Sequence, residues 1–110
     1  MKLRFGSLIL CIVFFSGCLS QPKTGGVEEI KAACIDLCKK ALKNGVDLSN
    51  GPCLSDDNPD WKYKDWVCDV AHWPREDVDN LPENQCKEFR SGAAHHFVEV
   101  DPECNYIRHY

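Results

Sequence analysis

The sequence predicts an α+β fold, a small disulfide-rich domain in which an N-terminal helix packs on a small antiparallel sheet. Three observations lead to this prediction. Six of the eight cysteines lie between residues 34 and 104. A segment with helical periodicity begins at residue 27, and three shorter segments further along the chain have the composition and alternation of strands.

The helix is predicted over residues 27–45. Ile30, Cys34 and Leu37 follow the spacing of one helical face. Acidic residues occupy the first turn and lysines the last, which suits the helix dipole. The pair Asn44-Gly45 provides a left-handed stop.

Cys34 and Cys38 lie one turn apart on this helix, with their side chains parallel, so they are poorly placed to bond each other. Each is expected to join the helix to a different later segment. We expect one of them to pair with Cys68, and the other with Cys53 or Cys104. The pairing of the six cysteines otherwise stays open, because six cysteines allow fifteen connectivities.

The remaining elements follow in order. Residues 46–60 are rich in turn pairs, and residues 64–70 alternate as a strand with Cys68 facing inward. A polar loop over 72–83 leads into a short helix over 82–92, in which Pro82 lies near the first turn and Gly92 closes the last. Strands are predicted over 95–101 and 104–110.

The first residues have the pattern of an export signal, with Lys2 and Arg4 preceding an apolar run from Phe5 to Leu19. That run is shorter than the about 20 residues that a membrane-spanning helix needs. We therefore divide the chain into a signal peptide (1–17), a flexible tether that begins with Cys18 (18–26), and a single disulfide-stapled domain (27–110).

The end of the signal, Phe15-Ser16-Gly17-Cys18, resembles the lipobox of prokaryotic lipoprotein signal peptides: an apolar residue, two small residues and a cysteine. The resemblance implies that Cys18 is lipidated and anchors the chain to the outer face of a membrane. An ordinary cleaved signal would instead make the protein secreted. In either case, setting aside Cys11 and Cys18 leaves an even number of cysteines in an exported chain, which indicates a disulfide framework.

The net charge of −4 gives the chain no attraction to phosphate backbones, so nucleic acid is not an expected partner. Membrane contact is expected through the lipid anchor. No cofactor is expected. No spacing of residues identifies a nucleophile or an acid–base pair, so the sequence does not predict an enzyme, and a small hydrolase is the weakest hypothesis.

The main candidate for a binding surface is an aromatic and acidic stretch of the chain. Aromatic faces flanked by carboxylates can stack on sugars or dock a protein, so a protein or glycan of the cell envelope is the expected partner. The alternative is that Trp66 packs in the core and that the other tryptophans cover its edges. The predicted surface comprises Asp60, Trp61, Tyr63, His72 and Trp73.

A metal or redox protein is the alternative function. Cys34 and Cys38, together with a distant histidine, resemble the copper sites of membrane-anchored copper chaperones of the Sco type. That family has proline after the second cysteine, where this chain has Lys39, and a thioredoxin-like domain larger than this one. His95 and His96 should point to opposite faces of a strand, which argues against a shared ion.

Overall fold

The structure, a computed structural model, describes residues 26–110. The predicted signal peptide and Cys18 lie outside the described residues. The elements are α1 (Val27–Lys43), β1 (Trp66–Val70), α2 (Lys87–Ser91), β2 (His96–Val100) and β3 (Tyr106–His109), with two 3-10 turns, Asp77–Asn80 and Pro82–Asn84, in the long loop before α2. In this part of the chain, neither helix has the length and apolar character needed to cross a bilayer.

Helix α1 forms where the periodicity predicts it. Its apolar stripe is buried, and Ile30, Cys34 and Leu37 belong to the main core cluster. The helix ends at Asn44, and Gly45 follows with φ of +82°, a left-handed conformation that glycine adopts without steric cost. The stop predicted from Asn44-Gly45 is therefore present.

The α+β class is confirmed, and the sheet is mixed rather than wholly antiparallel. Strand β2 lies in the centre, parallel to β1 and antiparallel to β3. A parallel pair requires a crossover of a dozen or more residues, and residues 71–95 supply it. The tight turn over residues 101–105 joins β2 to β3, as an antiparallel pair allows.

Both faces of the sheet are covered. On one face, Cys68, Val70 and Val98 pack beneath α1 in the main core. On the other face, Val67 packs with Cys86 and Ala94, and Phe89 and Phe97 partly cover this second cluster. The crossover thus buries the face of β1 that α1 cannot reach.

Three disulfides join these layers, Cys34–Cys68, Cys38–Cys104 and Cys53–Cys86. The prediction for the two helix cysteines is confirmed, since one reaches β1 and the other reaches the turn before β3. The third disulfide lies in the second cluster, on the far side of the sheet from α1.

Replacing Cys38 and Cys104 together by alanine should lower the free energy of unfolding by about 2–5 kcal/mol, because the bridge closes a sequence separation of 66 residues. Urea unfolding monitored by circular dichroism measures this loss. The matched double variant at Cys53 and Cys86, with a separation of 33 residues, should lose less. An unchanged unfolding midpoint in the first variant would contradict the expectation.

Candidate functional site

The first part of the predicted surface lies beside α1. The rings of Trp61 and Tyr63 meet edge to face with centroids 5.1 Å apart. The indole Nε1 of Trp61 donates to the carbonyl oxygens of Tyr63 and Trp66, and the Tyr63 hydroxyl donates to Glu29. Asp60 accepts a hydrogen bond from Lys40 of the helix. These contacts fasten the segment before β1 to α1 and pack both aromatic rings against the core.

His72 has a partner of its own. Its Nδ1 lies 2.9 Å from Oδ1 of the buried Asp79, and its backbone N–H donates to the same carboxylate. Burial alone would raise the pKa of Asp79, but hydrogen bonds from the backbones of Glu76 and His72 and from the His72 ring bring it below its usual value. Gly51 faces this carboxylate so closely that a Cβ there would lie 2.6 Å from Oδ1. Through these contacts with Asp79, His72 fixes the conformation of the loop after β1.

Trp73 lies apart from Trp61 and Tyr63, which line a different depression. Its side chain is 73% exposed, the largest value among the exposed large hydrophobic residues of the described chain. It borders a groove of about 420 Å³. We call this the Trp73 groove, and its lining residues are Trp73, Asp101, Tyr106, Ile107 and Arg108.

The structure leaves Cys34 and Cys38 without free thiols, since both are disulfide-bonded and have no exposed surface. The metal hypothesis built on them therefore lacks its two thiolate ligands. The histidines have other contacts. His95 Nδ1 lies 2.6 Å from Asp65 Oδ1, and His96 stacks on Trp66 with ring centroids 4.6 Å apart.

A buried carboxylate lies at the centre of a charged cluster on the face of the sheet opposite α1. Glu99 of β2 is only 5% exposed, and two arginines hold its two oxygens. Arg75 Nη1 donates to Oε2 at 3.2 Å, and Arg108 Nε donates to Oε1 at 2.8 Å. Glu99 is therefore a paired buried charge, which is the form in which buried charges are tolerated.

Asp69 of β1 lies directly opposite Glu99 in the register, and its environment is different. Its Oδ1 atom is buried and has no hydrogen-bond partner within residues 26–110. Loss of solvation and the nearby charge of Glu99 raise the pKa of Asp69 to about 8, although Arg75 opposes the shift. Asp69 therefore holds a proton over most of the neutral range.

The side chain of Asp69 lies beside the third disulfide. A carboxylate oxygen and the two sulfurs of Cys53 and Cys86 all lie within 4.8 Å of one another. Within the described part of the chain this is the one such grouping of three ligand-type side chains. Because the two sulfurs are bonded to each other, they offer no thiolate pair to a metal ion.

Sequence reasoning missed Asp69. The sequence feature that could have revealed it is a charged residue in the middle of the predicted strand, on the same face as Val67.

Comparison with known proteins found no matching family model, no similar curated protein and no similar solved structure. What the chain itself shows is a small domain with three disulfides, a type found in oxidising compartments outside the cytoplasm.

The raised pKa of Asp69 makes a prediction about stability. The folded chain retains a proton that the unfolded chain releases near pH 4, so this group's contribution is fully present below that pH and is lost as pH rises to about 8. Asp69→Asn should remove this decline, gaining up to roughly 1.4 kcal/mol per pH unit relative to the native chain over that interval.

Urea unfolding at intervals of half a pH unit measures both curves. Asp36→Asn on the exposed side of α1 is the matched control and should follow the native curve. Parallel curves for the native chain and Asp69→Asn would show that Asp69 ionises normally in the folded state.

Proposed function

We propose that this chain is an exported, lipid-anchored recognition module of the cell envelope that binds a protein partner through the Trp73 groove. The observation that carries the proposal is the exposure of Trp73 beside Tyr106 and Arg108 in one concave surface. Tryptophan, tyrosine and arginine are the residue types that most often dominate binding energy at protein interfaces. A glycan stacked on Trp73 is the other possible occupant, and the experiment below distinguishes the two.

The walls of the groove are held in place before any partner arrives. Arg108 is fixed by Glu99 and lies over the Phe97 ring. The Tyr106 hydroxyl lies 2.6 Å from His109 Nδ1, and the ammonium group of Lys31 lies 4.2 Å from the centroid of the Tyr106 ring. Side chains that are already ordered lose less conformational entropy on binding, which favours affinity.

The turn between β2 and β3 forms the far edge of the groove. Asp101 accepts hydrogen bonds from the backbone N–H groups of Glu103 and Asn105, so this turn is internally braced.

The location of the module is supported by the disulfides and by the lipobox-like end of the signal. Residues 18–26 form the proposed tether, which could extend about 30 Å from a lipidated Cys18.

Intact-mass spectrometry of the protein from its native membrane tests the anchor. A chain beginning at Cys18 with a lipid-sized addition is expected, and reduction should add about 6 Da because each disulfide forms with loss of two hydrogens. Cys18→Ser is the control and should release an unlipidated protein. An unlipidated native chain with a different first residue would overturn the proposed anchor. The proposal that the Trp73 groove binds a protein would still be tested by the crosslinking experiment below.

Photo-crosslinking in intact cells tests the groove. A photoreactive phenylalanine analogue at Tyr106 should crosslink an envelope protein, and Trp73→Ala should abolish the crosslink. Leu42→Ala removes another exposed apolar side chain, 44% exposed and on α1, and is the control.

With the crosslinked partner purified, Trp73→Ala should weaken binding by about 30-fold or more, the size of a hot-spot residue. Leu42→Ala should bind normally. Equal affinities for the two variants, or crosslinking to glycan alone, would overturn the proposal that this groove docks a protein.

A further inference from the structure

The three disulfides differ in their access to solvent. The two that hold α1 are buried at all four cysteines, whereas Cys53 is partly exposed and its partner Cys86 is buried. Of the six bonded cysteines, Cys53 is thus the one with the most exposed surface, and it is the residue that a thiol from solvent would attack. The four buried cysteines are Cys34, Cys38, Cys68 and Cys104.

The backbone fixes Asp69 against this disulfide. Cys53 pairs with Asp69 in an isolated antiparallel bridge, with Leu54 N–H donating to Cys68 O at 2.8 Å and Val70 N–H donating to Pro52 O at 3.1 Å. This pairing keeps the Asp69 carboxyl within 4.8 Å of both sulfurs. Its buried Oδ1 has no hydrogen-bond partner within the described residues.

Ser55 supplies a second polar group at the same sulfurs. Its Oγ lies 3.5 Å from Cys53 Sγ and 3.9 Å from Cys86 Sγ. The Oγ atom accepts the backbone N–H of Cys68, so its own hydrogen is left to point toward sulfur. Ser55 also lines a depression of about 370 Å³ with Trp61 and Lys64, so this serine lies between the surface and the two sulfurs.

We propose that Cys53–Cys86 is an exchangeable disulfide that accepts electrons from a dithiol partner, with Asp69 as the proton donor to the leaving sulfur. This inference does not depend on the Trp73 groove. At the other two disulfides the sulfur contacts given by the structure are to backbone carbonyls, which carry no proton to donate.

The exchange takes place in two steps, each of which is an attack by one thiolate of the partner. A thiolate of the dithiol attacks Cys53 Sγ, a new mixed disulfide forms, and the Cys53–Cys86 bond breaks with its electron pair on Cys86 Sγ. Asp69 transfers its proton to that sulfur and becomes a carboxylate. The second thiolate of the partner then attacks its own mixed-disulfide sulfur, releasing Cys53 as a thiolate that takes a proton from water. The partner leaves as a disulfide.

The charged groups around Asp69 affect whether its carboxyl group is protonated and can therefore donate a proton. Glu99 faces it from β2, and Arg75 and Asp79 approach from the loop after β1. Arg108 is held on Glu99, and His72 on Asp79. Burial first, and then the balance of these charges, keeps the Asp69 carboxyl protonated near neutral pH, where a leaving thiolate needs a proton donor.

The test follows each disulfide of the whole folded chain during reduction by dithiothreitol, the dithiol probe, with alkylation and peptide mass spectrometry at timed intervals. Cys53–Cys86 should open first. In Asp69→Asn its opening rate should fall by roughly 10- to 100-fold, the scale of a modest general acid. Asp36→Asn is the matched control and should behave as native.

The pH profile separates proton donation from a structural role. Divided by the thiolate concentration, the native rate at Cys53–Cys86 should decline as pH rises through about 8, and the rate in Asp69→Asn should be flat. Because Asp69→Asn also changes the stability of the whole fold, its effect is measured as the opening rate of Cys53–Cys86 divided by the opening rates of the two buried disulfides. Equal opening rates for the three disulfides, or a native-like profile in Asp69→Asn, would overturn the proposal.

Discussion

The arrangement of this domain depends on two covalent links that leave one face of α1. Cys34 and Cys38 lie one helical turn apart, and they bind β1 and the turn before β3. Both outer segments of the sheet are thereby held under the same helix, with β2 between them. A domain of this size gains little net stability from its core alone, so such links decide whether it folds.

One consequence appears on the opposite face of the sheet. Because α1 covers only one side, the crossover from β1 to β2 has to bury the other, and it does so with α2 and the Cys53–Cys86 disulfide. The crossover also carries Arg75 to Glu99. Asp69 lies on the same face with its Oδ1 unpaired, because both arginines near Glu99 are directed to the Glu99 carboxylate.

The local features were predictable from sequence because each has a short-range cause. The helix limits follow from periodicity and Asn44-Gly45, and the separate pairing of its two cysteines follows from their spacing. The parallel pairing of β1 with β2 was not predictable, since it depends on the path of residues 71–95 across the sheet. Trp61 and Trp73 were grouped because they are near in sequence, but β1 lies between them and carries the chain some 17 Å at about 3.3 Å per residue.

Asp69 escaped prediction for a related reason. Alternation places it on the face of β1 away from α1, and a charged residue there suggests solvent unless the cover is known. The same face connects the two candidate sites, because Arg108 lines the Trp73 groove and also holds Glu99. Glu99 in turn disfavours the charged form of Asp69. Displacing Arg108 would leave Glu99 less compensated and raise the pKa of Asp69 further, so groove and disulfide share one electrostatic environment.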